Sequence, residues 1–67
     1  MNKERLKARR EALNMSQSDL ARALGIDPQR ISAYECGTRK AGGDTVAAIA
    51  VALRCSADYL LGIAPTP

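Results

Sequence analysis

The stretch from Ser16 to Gly37, SQSDLARALGIDPQRISAYECG, leaves this chain few folds to choose from, because it holds two helix start and stop signals set close together. Ser16 is an N-cap residue, and Asp19 three positions on completes a capping-box pattern, in which the two residues satisfy each other's free backbone N–H groups. Leu20, Ala21 and Leu24 follow at helical spacing and make one apolar stripe. Gly25 ends that helix, since glycine takes the left-handed conformation that a helix C-terminus favours. Asp27 then caps again, and Pro28 falls at the first helical position, where its missing N–H is no loss. Ile31 and Tyr34 point back toward the preceding helix, and Gly37 stops the second one.

Two helices joined by so short a turn must cross steeply, which is the geometry of a helix-turn-helix. At about 100° per residue, placing Ile31 and Tyr34 inward turns Gln29 and Ala33 directly outward, with Arg30 and Ser32 beside them. An outward Gln and Arg among small residues suit a helix lying in the major groove of DNA. Gln pairs bidentately with adenine and Arg with guanine, and the Ala methyl meets the methyl of thymine. Gln29, Arg30, Ser32 and Ala33 are therefore the candidate base contacts, on a helix spanning about 28–36. Arg30 stands where it can turn to a base or to the backbone.

SQSDLARALGI, followed by RIS and YE ahead of Gly37, resembles the helix-turn-helix of the phage-repressor and Cro-like transcriptional regulators. RLKARREALNMS before it, and TVAAIAVAL and SADYLLG after it, are similar to that family's first, fourth and fifth helices. The resemblance thus runs over about residues 3 to 62. It implies an all-α fold of five helices, a lambda-repressor-like DNA-binding domain over residues 1–62 whose helix-turn-helix is formed by helices 2 and 3. Residues 63–67 would be a short C-terminal tail, either a natural end or the start of a linker.

The resemblance also implies roles for single residues. In the family, an Arg at the place of Arg10 pairs with the Glu late in the recognition helix, here Glu35, and pins the first helix to the third. A Gln at the place of Gln17 contacts the DNA backbone. Gln17 lies in the first turn of its helix, where free N–H groups and partial positive charge favour phosphate. Cys36 departs from the family pattern, which usually has Asn before this glycine, so that side chain's usual polar contact is not expected. A redox-sensing thiol is the other reading of Cys36. Ala41-Gly42-Gly43 stands where the family enters its fourth helix with Pro-Ser-apolar, and a frayed or mobile helix start is expected there. Arg54-Cys55 replaces a link that often contains glycine.

The charge is unevenly placed. The formal net charge is +3, yet residues 1–40 hold nine Lys and Arg against five Asp and Glu, while residues 41–67 hold Arg54 against Asp44 and Asp58. Basic character thus goes with the helix-turn-helix half, as binding of a polyanion requires. Thr38, Arg39 and Lys40 form a polar basic loop after the recognition helix. With Gln17 they are the candidate phosphate contacts, which position a protein on a duplex without reading its sequence. A solvated loop is the plainer reading of the same residues.

Sixty-seven residues make one domain, near the small end of what folds alone. A first helix over about 2–13 turns Leu6, Leu13 and the stems of Arg9 and Arg10 inward and leaves Lys3, Arg5 and Lys7 in water. Met15 plugs the core. A fourth helix, roughly Asp44 to Leu53, carries Val46, Ile49, Ala50 and Leu53 at core spacing. Its remaining surface, Ala47, Ala48, Val51 and Ala52, is smooth and apolar, which means either close packing or a patch at a subunit contact. Cys55 reads as a buried small apolar residue. Ser56 caps a fifth helix holding Ala57, Tyr59, Leu60 and Leu61, and Gly62 ends it.

There is no histidine, no nucleophile–base constellation and no pairing of carboxylates, so an enzyme is not expected. Cys36 and Cys55 form no CxxC and read as free thiols of a reducing compartment, so neither a metal site nor a cofactor is implied. No stretch is long and apolar enough to span a membrane, and the charged N-terminus carries no apolar run of a secretory signal. A cytoplasmic protein without a membrane partner is the expectation. The function these features imply is sequence-specific binding of double-stranded DNA by a transcriptional regulator, a repressor. One such domain buries too little surface for tight specific binding. The resembling family answers this by two-fold pairing around the fifth helix, so the expected partners are a pseudo-palindromic operator and a second copy of the chain held through Arg54–Leu61. The alternative is a protein-binding helical module, such as an antitoxin-like or corepressor-like partner domain. Such a module would favour apolar anchors on the outer face of the third helix, where this chain offers Gln29, Arg30 and Ser32.

Overall fold

Local capping sets most of the helix boundaries. The computed structural model describes residues 1–67 as α1 (Lys3–Ala12), α2 (Gln17–Leu24), α3 (Pro28–Cys36), α4 (Gly43–Ala52) and α5 (Ala57–Leu60), with no strand. Around α2 the capping box is complete: the Asp19 N–H donates to Ser16 Oγ and the Ser16 N–H donates to Asp19 Oδ2, both at 2.9 Å. These contacts with Ser16, its backbone N–H foremost, hold the Asp19 carboxyl below its ordinary value. Gly25, at φ +69°, closes α2 in the left-handed conformation. Asp27 caps α3 by accepting from the Gln29 N–H at 2.8 Å, with Pro28 in the first turn.

Elsewhere the bounds shift slightly. The first helix is one residue shorter at each end than the spacing predicts, because Asn2 is its N-cap and Leu13 its C-cap. The fourth starts one residue early, at Gly43, and ends at Ala52. Its N-cap is Gly42, which has no side chain to offer a capping bond. Both helices are followed by non-glycine residues at positive φ, Asn14 at 57° and Arg54 at 53°. That conformation costs an L-residue about 1–2 kcal/mol. Asn tolerates it through its short polar side chain, and Arg54 has no such help.

Every helix sends apolar side chains into one core. Leu6, Leu20, Ile31, Ile49, Leu53 and Leu60 are fully buried there, joined by Ala21, Tyr34, Val46 and Ala50. Each fully buried Leu or Ile contributes about 1.5–3 kcal/mol of transfer free energy. In this arrangement α2 packs on α3 and α4, α1 on α3 and α5, and α4 on α5. Leu13, Met15, Leu24 and Cys55 are half-buried against the same core. Burial pushes the Cys55 thiol up. Ala47, Ala48 and Val51 on α4 are exposed, so the smooth side of that helix is not packed within the chain.

One expectation fails outright: Arg5 is not in water. Its guanidinium lies 4.7 Å from the centre of the Tyr59 ring and donates to the Tyr59 carbonyl at 2.9 Å and to the Ala64 carbonyl. Arg9 acts similarly on α4, donating from Nε to the Leu53 carbonyl at 2.9 Å and from its terminal nitrogen to Arg54 at 3.0 Å. The last carbonyls of a helix lack intrahelical partners; Arg9 supplies donors just past the end of α4, and Arg5 ties the last turn of α5 to Ala64 beyond it. Ile63 and Ala64 also donate to the Asp58 carbonyl, so the first residues after Gly62 stay bound to the fold. No helix is long and apolar enough to cross a membrane.

Candidate nucleic-acid interface

The outer face of α3 begins with Gln29, which is exposed on the first turn. Arg30, Ser32 and Ala33 are half-buried. For Ala33 this differs from the fully outward position that the helical spacing predicts, since a single methyl is too short to clear the larger side chains around it. Arg30 does not extend away from its helix. Its terminal nitrogen donates to the Tyr34 hydroxyl at 3.2 Å one turn along, and its Nε is buried without a partner.

Beneath this face, Arg10 of α1 meets Glu35 of α3 through two hydrogen bonds. Nε lies 2.6 Å from Oε2 and the terminal nitrogen 3.1 Å from Oε1, with the side chains only 9% and 4% exposed. The other terminal nitrogen donates to the Met15 carbonyl at 2.7 Å, so one guanidinium joins α1, the link to α2, and α3. Gln17 completes the cluster, its Nε2 donating to Glu35 Oε1 at 3.2 Å. This contact has no signal in the spacing of the sequence, and it fixes the side chain at the start of α2 to the end of α3. Burial pushes the Glu35 carboxyl up, but the hydrogen bonds from Arg10 and Gln17 and the charges of Arg10 and Lys7 outweigh it, so the group titrates below its ordinary value. The hydrogen bond to Glu35 raises Arg10 in turn, against the opposing effect of burial.

The loop after α3 is anchored and then free. Gly37, at φ +78°, ends the helix, and the N–H and hydroxyl of Thr38 both donate to the Ala33 carbonyl, at 3.0 and 3.3 Å. Arg39 and Lys40 are exposed and make no ion pair; the two pairs in the chain are Arg10–Glu35 and an exposed Asp19–Arg22 contact. Cys36 is exposed beside them as a free thiol. The structure thus joins Arg10, Glu35 and Gln17 in one buried cluster, sets Gln29 outward on α3, and leaves two unpaired cations at the far end of that helix.

A family model described as helix-turn-helix matches residues 6–60. The chain is similar to repressor protein C2 of Salmonella phage P22, with 38% identity over 58 residues, 87% of this chain and 27% of that protein. It is also similar to an uncharacterized HTH-type transcriptional regulator of Archaeoglobus fulgidus, with 59% identity over 39 residues, 58% of this chain and 17% of that protein. The chain therefore spans only about a quarter or less of the length of these two curated relatives. Among solved structures, it superposes on the P22 c2 repressor in complex with a synthetic operator, with a TM-score of 0.85 at 35% identity, over 92% of this chain and 94% of that one. The solution structure of the DNA-binding domain of the same repressor gives a TM-score of 0.85 at 34% identity, over 97% of this chain and 88% of that one.

Proposed function

Because the chain belongs to the helix-turn-helix family, we propose that it binds double-stranded DNA sequence-specifically as a transcriptional regulator, a repressor, with α3 in the major groove. The observation that carries this reading is the superposition of nearly the whole chain on a repressor solved with its operator, with Gln29 exposed on the corresponding helix-turn-helix unit. Gln29 reads a base directly, with Arg30, Ser32 and Ala33 alongside. Arg39 and Lys40 hold phosphates and set the register of the helix on the duplex, joined by Gln17 through the amide hydrogen that Glu35 leaves free and by Thr38 once its hydroxyl turns from the Ala33 carbonyl. The buried Arg10–Glu35 pair fixes α3 against α1, so that the reading face arrives preformed.

Two copies act together. Pairing through Arg54–Leu61 doubles the contact surface that one small domain presents. Leu61 is 47% exposed in that stretch, which leaves an apolar side chain for a second copy to cover. The operator is then a pseudo-palindrome with half-sites about 10 base pairs apart, centre to centre.

Selection from a pool of random duplexes by gel retardation, followed by footprinting of the enriched sites, tests this reading. Enrichment of a pseudo-palindrome protected on both half-sites is the expected result. Absence of retardation even at low salt would remove the DNA-binding reading, and protection of a single half-site by one protomer would remove the dimer.

A further inference from the structure

A cleft of about 320 Å³ opens between the start of α1 and the loop after α3. Lys3, Tyr34, Gly37, Arg39 and Lys40 line it, and no carboxylate does. Lys3 comes from the opposite end of the helix-turn-helix half, and its stem crosses the end of α3. A Cβ on Gly37 would stand 3.3 Å from Lys3 Cδ and 3.4 Å from Nζ. None of the three cations is in an ion pair, whereas Arg10 and Arg22 each have a carboxylate.

Like charges gathered in a cleft repel, and low-dielectric walls strengthen their field on whatever enters. Three unpaired cations around Gly37 therefore favour an anion. An ammonium at the end of α3 also complements the helix dipole, but two of the four last carbonyls there, those of Ala33 and Tyr34, already have other donors, and Lys3 donates to neither of the rest. The N–H of Gly37 serves Tyr34, and Thr38 serves Ala33 twice. Lys3 keeps its N–H groups for a ligand.

We propose that this cleft takes a phosphate of the DNA backbone, and that Lys3 closes over it from α1 as a phosphate contact alongside Arg39 and Lys40. The inference rests on the DNA-binding reading and extends the contact surface from α3 and its loop to α1. A duplex is the source because the cleft lies at the end of the proposed reading helix and its lining includes Arg39 and Lys40, the exposed cations of the loop that the DNA-binding reading sets against the backbone.

Binding isotherms on a duplex of random sequence, taken at several salt concentrations, test it with wild type, Lys3→Met, Lys3→Arg and Lys40→Ala. Met keeps the stem over Gly37 and removes only the charge. Lys3→Met should lower the slope of log K against log salt by about 0.9, one phosphate's worth, and weaken binding several-fold at low salt. Lys3→Arg should restore the slope. An unchanged slope in Lys3→Met beside a lowered one in Lys40→Ala would overturn the proposal and leave DNA binding standing. A fall in Tm with no change of slope would make Lys3 a helix-end residue only, which also overturns it. Failure of the wild type to bind any duplex would remove both readings. In a parallel titration of the wild type, the Gly37 amide resonance should follow the duplex. A saturable response to inorganic phosphate with none to the duplex would assign the cleft to a free anion and overturn the duplex source.

Discussion

Residues 16–37 close their own helix ends, whereas residues 43–64, apart from the Ser56 cap and the Gly62 stop of α5, lean on side chains sent from α1. In the first region, Ser16, Asp19 and Asp27 cap from within three positions, and Gly25 and Gly37 supply the left-handed stops. In the second, α4 starts on Gly42 without a side-chain cap and is followed by Arg54 in a conformation that suits glycine. Arg9 then supplies donors to the end of α4, and Arg5 to the end of α5 and to Ala64. The arginines of α1 thus divide between the two regions. Arg10 faces the reading helix, while Arg5 and Arg9 brace the half that carries the proposed dimer contact.

Removing Arg10 should break the first region most severely. Arg10→Ala strands a buried carboxylate, and about 3 kcal/mol of stability is lost. In a domain of this size that is a fall in Tm of roughly 12–24 °C. The double change Arg10→Met, Glu35→Leu should recover much of it, because an apolar pair leaves no charge stranded. The pH dependence carries a sign. Glu35 titrates below its ordinary value in the folded chain, so as pH falls through the carboxylate range the unfolded chain binds the proton first and wild-type stability drops. In Arg10→Ala the carboxyl keeps its burial and loses the guanidinium, so its value rises. The deficit of the variant should then be greatest near neutral pH and narrow toward acid. Thermal melts of both proteins from pH 7 to pH 3 check this; a deficit that widened toward acid would show that Glu35 is not held by Arg10.

A smaller effect should separate the two regions. Arg9→Met keeps an apolar stem and removes two charge-assisted hydrogen bonds, costing about 1–2 kcal/mol. Native-state hydrogen exchange should show protection falling first at Cys55, Leu60 and Leu61, with Leu24 and Tyr34 little changed. Equal loss across both regions would mean that Arg9 supports the whole core.

The smallest effect is a gain. Gly43 lies within α4, and a Cβ there would meet nothing within 4 Å. Gly43→Ala should therefore stabilise by about 0.5–1 kcal/mol. A loss in the melt would indicate that Gly43 departs from helical geometry.

The bounds of α2 and α3 are legible in the sequence because each signal acts within three or four residues. Gln29 is legible as an outward residue from helical spacing alone. The bracing by Arg5 and Arg9 is not, since their acceptors are main-chain carbonyls 54 and 44 positions away that leave no mark on the residue types. Arg10 and Glu35 are suggested only by the family resemblance. Gln17 reaching Glu35 depends on how α2 settles against α3, and the folding back of Arg30 onto Tyr34 depends on one rotamer. The convergence of Lys3 with Arg39 and Lys40 follows from the packing of α1 on α3, which spacing along the chain does not encode.

Reading and holding are assigned to different surfaces, Gln29 to a base and Lys40 to the backbone, and one pair of isotherms separates them. Each variant is titrated against the selected operator and a scrambled duplex at several salt concentrations. Gln29→Ala should cost about 1–3 kcal/mol on the operator, little on the scrambled duplex, and relax preference at one base position. Lys40→Ala should weaken binding to both alike and lower the salt slope by about one unit. If Gln29→Ala lost affinity equally on both duplexes while Lys40→Ala altered only base preference, the two surfaces would be reversed and α3 would not lie in the groove.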